Sequence, residues 1–165
     1  MKKMDALTLK TPFEMIGKDW MLITAEKNGR ANTMTASWGG MGVIWNKNVA
    51  FVFIRPSRYT KEFVDNTDRF SLTFFGEEYR EKLTYLGRVS GRDEKKIENA
   101  GLTLCDVDGV PSFTQAETVI VCKKLYAQDM KEDCFVSSDF FEKMYPSGDV
   151  HTLYVAEIDN VYKNS

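Results

Sequence analysis

Two short runs of this sequence gather side chains able to grip an anion. Across residues 31–38, Thr33, Thr35 and Ser37 alternate with Met34, Ala36 and Trp38, and an extended chain with that alternation turns three hydroxyls to one face. The run Arg55-Pro56-Ser57-Arg58-Tyr59-Thr60 supplies two guanidinium groups, the Ser57 and Thr60 hydroxyls and, at a helix start, backbone N–H groups without intrahelical partners. Guanidinium forks match phosphate geometry, and the positive end of a helix dipole adds to the attraction. Together the two runs suit a phosphorylated ligand. Each also has a structural reading, since Thr and Ser fit a half-exposed strand and Ser57 can act as a helix cap.

Other chemistries find little support. His151 is the only histidine, and Cys105, Cys122 and Cys134 show no paired spacing, so a multi-histidine metal site is excluded and no zinc site is offered. Gly39, Gly40 and Gly42 lack the third glycine and the βαβ context of a dinucleotide fingerprint. Neither a GxxxxGK[ST] phosphate loop nor a G-x-S-x-G nucleophile elbow occurs. A formal charge of -2 with interspersed signs gives no basic stripe for nucleic acid. The apolar runs are too short for a bilayer, and Met1-Lys2-Lys3 leads into a mixed segment rather than a signal peptide. The expectation is a cytoplasmic protein with reduced thiols and no membrane partner.

The elements that must position these residues read mostly as strands. With 165 residues, 43% of them hydrophobic, the chain suits a single domain spanning 1–165. Residues 20–26 and 31–38 flank Asn28-Gly29, a hairpin signal. Residues 48–54 and 69–75 read as further strands, the first apolar enough to be buried on both faces. Between them Ser57 can start a helix carrying Tyr59, Phe63 and Val64. Residues 77–86 repeat the helical spacing with Gly87 as terminator, and residues 92–100 form a third helix stopped by Gly101. Residues 118–127 and 150–161 are long β-rich segments joined around Pro146-Ser147-Gly148. The expected fold is mainly β with peripheral α, an antiparallel barrel with short helices packed outside.

The order of these motifs, Asn32 to Trp38, Gly39-Gly40, Trp45-Asn46-Lys47, Arg55 to Thr60, Phe74-Phe75 and Ser90-Gly91-Arg92-Asp93 with Lys96, resembles the flavin reductase-like FMN-binding split-barrel family, near its flavoredoxin branch. The resemblance implies an antiparallel split β-barrel that forms a homodimer and holds FMN non-covalently near the interface. It implies an oxidoreductase passing electrons from NAD(P)H through FMN to an acceptor. The alternatives are a flavoredoxin-type carrier fed by a protein redox partner, or a non-enzymatic flavin-binding protein. By the same likeness Asn32, Thr33, Met34, Thr35, Ala36, Ser37 and Trp38 line the flavin. Arg55, Pro56, Ser57, Arg58, Tyr59 and Thr60 hold its phosphate and ribityl chain. Ser90, Gly91, Arg92 and Asp93, with Lys96 one turn on, close over it. In related reductases a histidine after a Gly-Asp pair lies near the nicotinamide, which nominates His151 in Gly148-Asp149-Val150-His151 as the catalytic candidate. A lone histidine at a strand start also has a purely structural reading.

Overall fold

The computed structural model describes residues 2–4 and 11–164; the N-terminal stretch weighed as a signal peptide lies largely outside the described residues. One antiparallel sheet organises the chain. Its strands are β1 (Lys2–Met4), β2 (Met21–Lys27), β3 (Arg30–Ala36), β4 (Gly39–Ile44), β5 (Lys47–Ile54), β6 (Arg69–Phe74), β9 (Thr118–Asp129) and β10 (Thr152–Lys163). A separate hairpin pairs β7 (Leu104–Val107) with β8 (Val110–Phe113).

The sheet runs in the order β3-β2-β6-β9-β10-β5-β4, with β1 added to β10. It does not close. Its two edge strands, β3 and β4, are consecutive in the chain, so Ser37 and Trp38 sit where the sheet splits. The fold is the expected mainly β architecture, antiparallel and flanked by helices.

Turn chemistry sets much of this register. Asn28 and Gly29 both take positive φ, +53° and +74°, as a two-residue hairpin with right-twisted strands requires. Trp45 and Asn46 do the same at +54° and +55°, which joins β4 to β5. The Gly-rich β4 itself has no counterpart in the sequence reading, because glycine is depleted in strands.

Alternation buries the central strands on both sides. Ile23, Leu72, Ile120 and Cys122 enter one core with Met34, Ala36, Ala50, Val52, Ile54 and Phe63. Leu22, Val119 and Val121 enter a second core with Leu83, Leu86, Phe113 and Phe75. β5 is a correction: Ala50, Val52 and Ile54 on one face are buried, whereas on the other face Val49 is buried but Phe51 and Phe53 are only half-buried.

The helices are α1 (Tyr59–Asp65), α2 (Arg80–Arg88), α3 (Lys96–Asn99) and α4 (Ser138–Met144). Three expectations are corrected. Arg58, not Ser57, stands at the N-cap of α1, because the Ser57 hydroxyl is engaged elsewhere. Gly87 lies within the last turn of α2 rather than ending it; a Cβ there would come within 3.2 Å of Thr35 Cβ, so close packing explains the glycine. The third helix is confined to Lys96–Asn99, since residues 90–94 fold as a turn. Helix α4, absent from the sequence reading, is capped by Ser137, whose side chain accepts from the Phe140 N–H.

Candidate active site

The strand β3 answers first, because its alternation puts two sets of side chains in different places. Met34 and Ala36 point into the sheet core. Thr33 and Thr35 point the other way, and there they meet protein. Thr33 Oγ1 lies 2.8 Å from Thr24 Oγ1 and donates to the Ile23 carbonyl at 3.1 Å, fully buried. Thr35 Oγ1 donates to the Leu83 carbonyl of α2. These two hydroxyls are spent inside the fold, which corrects the expectation of a row of three free donors. What the strand leaves to a ligand is its C-terminal half, from Met34 to Trp38.

That half lines a cleft of about 350 Å³ with Phe53, Arg55, Ser57, Arg58 and His151. Trp38 is 45% exposed at its mouth. Its ring centroid lies 5.2 Å from the His151 ring, and Phe53 approaches His151 edge-on at 6.4 Å. Phe53 was not singled out in the sequence, because an apolar residue in an apolar strand carries no mark of a cleft wall.

His151 is buried and packed by aromatic rings. Tyr145 Oη lies 3.0 Å from its Nδ1, and Tyr145 belongs to a cluster with Phe135 and Phe141 at the end of α4. Burial, and after it the nearby Arg55 charge, lower the His151 pKa to about 4. At neutral pH the imidazole is therefore uncharged, able to position or shield but poorly suited to donate a proton as imidazolium.

The arginine turn forms the polar end of the cleft. Arg55 Nη1 donates to the Asp149 carbonyl at 2.9 Å, and its guanidinium lies 5.1 Å from the Tyr145 ring centroid. Arg58 Nη2 donates to the Gly87 carbonyl at 2.7 Å. Burial, with the neighbouring Arg55 charge, lowers the Arg58 pKa, and Asp149 opposes this; a guanidinium remains charged regardless. Both arginines thus bond to neutral carbonyls and keep further N–H groups for another acceptor. Ser57 presents its backbone N–H and its Oγ to the two carboxylate oxygens of Asp149, at 3.3 and 2.6 Å. Asp149 stands in the Gly148-Asp149-Val150-His151 run, but its pairing with Ser57, 92 residues away in sequence, has no local signal.

Other nominated residues lie off this cleft. Pro56 is exposed at the turn. Asn32 and Thr60 bond to each other, Asn32 Nδ2 donating to Thr60 Oγ1 at 2.9 Å, both buried. Tyr59 packs edge-on against Phe63 and lies under the Arg92 guanidinium. Ser90 to Asp93 form a turn in which Ser90 Oγ accepts from the Arg92 N–H. Gly91 sits so close to Asn32 that a Cβ would fall 2.2 Å from its Oδ1, and its carbonyl accepts from Arg30. Arg92 pairs with Glu62. Lys96 is buried, with Nζ donating to the Leu86 and Val89 carbonyls at 3.0 Å each; burial, then Arg58, lower its pKa to about 8. Asn32, Gly91 and Lys96 line a second hollow with Arg30, Glu94 and Leu104. The turn at 90–93 therefore stands beside that hollow rather than over the cleft.

The donor set suits a planar aromatic molecule that carries a phosphate. Aromatic and apolar walls would take a ring, and a turn whose Ser57 N–H and Oγ already hold a carboxylate, with the Arg55 and Arg58 guanidinium groups on neutral carbonyls beside it, has the chemistry of an oxyanion subsite. Among the described residues, no group of three or more His, Cys, Asp or Glu could hold a metal ion, and no helix is long and apolar enough to cross a membrane.

Residues 15–165 match the family model described as the flavin reductase like domain. No curated protein sequence matches the chain. Among solved structures, flavoredoxin from Methanosarcina acetivorans superposes with a TM-score of 0.71 at 20% identity, over 89% of this chain and 69% of that one. An FMN-binding protein from Thermus thermophilus gives 0.70 at 22% identity, over 100% and 83%. A flavin reductase of Shewanella frigidimarina, described as putative and as having a split barrel domain, gives 0.71 at 18% identity, over 98% and 76%. The fold is shared across all three.

Proposed function

The chain belongs to the flavin reductase-like family, and on that premise we propose that it binds FMN in the cleft between β3 and the arginine turn and passes electrons from NAD(P)H to an acceptor. The observation that carries this reading is the meeting of two unlike surfaces on one cleft. One is the aromatic-walled run Met34 to Trp38 with Phe53 and His151, and the other is the Arg55-Ser57-Arg58 oxyanion corner. A flavin mononucleotide has the matching two ends.

Bound FMN would supply a ring that accepts a hydride and can release electrons singly or in pairs. The chain's own part is orientation and electrostatics. The 34–38 backbone at the open sheet edge offers polar groups to the ring's carbonyl and nitrogen edge. Arg58 and Ser57 hold the phosphate, while Arg55 tethers residues 144–149 across the turn through the Met144 and Asp149 carbonyls. Trp38 and neutral His151 shape the space in which a nicotinamide would stack. No side-chain acid or base is required for hydride transfer between two stacked rings.

A homodimer belongs to the same proposal. Val43, Ile44 and Trp45 at the β4–β5 hairpin and Leu125 and Tyr126 on β9 are exposed, and the Trp45 and Tyr126 rings lie 6.4 Å apart. An apolar surface of this kind fits burial against a second copy, which sedimentation at micromolar concentration would register as twice the chain mass.

The test is anaerobic. FMN added to the protein shifts and quenches its spectrum on binding, and NADH or NADPH then bleaches the flavin band. Bleaching only by a reduced protein or chemical donor favours the carrier alternative. No FMN binding removes both.

A further inference from the structure

The carboxylate of Asp149 occupies the donors that a phosphate needs. Its Oδ1 accepts from the Ser57 N–H at 3.3 Å and its Oδ2 from Ser57 Oγ at 2.6 Å. Arg55 holds the main chain of Asp149 in place through its carbonyl, so the carboxylate stays beside the turn wherever its side chain rotates. No lysine or arginine forms an ion pair with it among the described residues. Its partners are the neutral N–H and hydroxyl of Ser57, although Arg58 lies near enough to feel its charge.

We propose that Asp149 is a specificity-determining residue that competes with the flavin phosphate for Ser57 and so limits how strongly the site prefers FMN to flavins lacking a phosphate. The proposal rests on the reading of the Arg55–Arg58 turn as the phosphate subsite. For a phosphate to take both Ser57 donors the carboxylate must rotate away, and once rotated it remains a like charge a few ångströms from the phosphate. Both effects oppose a phosphorylated ligand, and neither touches the ring. Half-exposed Asp149 can rotate into solvent, so the site is not blocked. It is detuned.

The measurement is the dissociation constant of FMN and of riboflavin, by flavin fluorescence quenching, for the parent protein, Asp149→Asn, Asp149→Ser and Arg58→Ala. The expected result is that both Asp149 variants bind FMN more tightly by roughly fivefold or more, fivefold being the scale of one unit charge acting across about 4 Å through water, with riboflavin unchanged. Asparagine preserves the shape of the contact and serine removes it, so agreement between the two ties the effect to charge. If Arg58→Ala weakens FMN selectively but both Asp149 variants leave FMN affinity unchanged or reduced, Asp149 is a support for the turn and the inference is overturned while the phosphate subsite stands. If Arg58→Ala weakens FMN and riboflavin equally, the phosphate subsite is lost and the inference with it.

Discussion

Two clusters of cations flank β3, and they use the same residue types to opposite ends. At its C-terminal side Arg55 and Arg58 bond to main-chain carbonyls, lie among aromatic walls and face a cleft. At its N-terminal side Arg92 is matched to Glu62 and Lys96 is sunk onto the last carbonyls of α2. A cation that already holds a carboxylate, or that is buried on a helix terminus, is part of the scaffold. A guanidinium that stays half-buried on neutral carbonyls and retains unused donors beside a cleft, unlike the buried Lys96 ammonium, is available to an anion.

The sharpest way to break that contrast is Arg58→Ala. Loss of a charge-assisted phosphate contact is worth about 1.5–3 kcal/mol, so FMN affinity should fall roughly ten- to a hundredfold, and riboflavin affinity should hardly change. An equal fall for both flavins would place Arg58 with the scaffold cations.

Lys96 is expected to behave in the other manner. Lys96→Ala leaves the Leu86 and Val89 carbonyls without their donor, and an orphaned buried acceptor costs about 1–3 kcal/mol. The thermal midpoint should drop while FMN affinity, measured below that midpoint, stays within a factor of about two. A selective loss of FMN with an unchanged midpoint would move Lys96 into the cofactor site.

His151 tests the cleft side through pH. Its pKa is depressed to about 4 from an unfolded value near 6.5. Between those values the unfolded chain binds more protons than the folded one, so this group contributes stability that is lost as pH falls from about 6.5 towards about 4. His151→Asn should therefore lose less thermal stability than the parent over that interval. It should also slow flavin reduction by nicotinamide only a few-fold, because the neutral ring positions rather than protonates. Complete loss of reduction at saturating nicotinamide would give His151 a direct chemical part.

The strands were legible in the sequence where turn chemistry and alternation agreed, as at Asn28-Gly29 between β2 and β3. The arginine turn stood out in the sequence too, with two guanidinium groups and two hydroxyls within six residues. Alternation failed on a subtler point. It shows that Thr33 and Thr35 share a face but not what lies against that face, and here it is Thr24 and helix α2 rather than a ligand. Strand β4 was hidden by its glycines, whereas α4, as long as α1 and capped by Ser137, carried a start signal left unused in the sequence reading. The Asp149–Ser57 contact was hidden by 92 residues of sequence separation. Contacts of that range arise from topology, because β5 and β10 are neighbours whose ends bring the two loops together.

The smallest expected effect falls on Arg92, and it bears directly on the contrast. The sequence reading placed Arg92 with the residues closing over FMN, whereas the structure gives it an exposed ion pair with Glu62 and a stacking contact 4.5 Å from the Tyr59 ring centroid. Exposed pairs contribute about 0–1 kcal/mol because both ions are well solvated and must be ordered to meet, and a stacked guanidinium at the surface adds about 0.5–1 kcal/mol. Arg92→Ala should then lower the thermal midpoint slightly and leave the affinities for FMN and riboflavin unchanged. Salt separates the terms: raising ionic strength should erase the part due to Glu62 and leave the part due to Tyr59, since screening acts on the ion pair and hardly on stacking. If Arg92→Ala instead weakens FMN as much as Arg58→Ala does, the turn at residues 90–93 swings over the cleft when flavin binds, and the division between scaffold and site cations must be redrawn at Glu62.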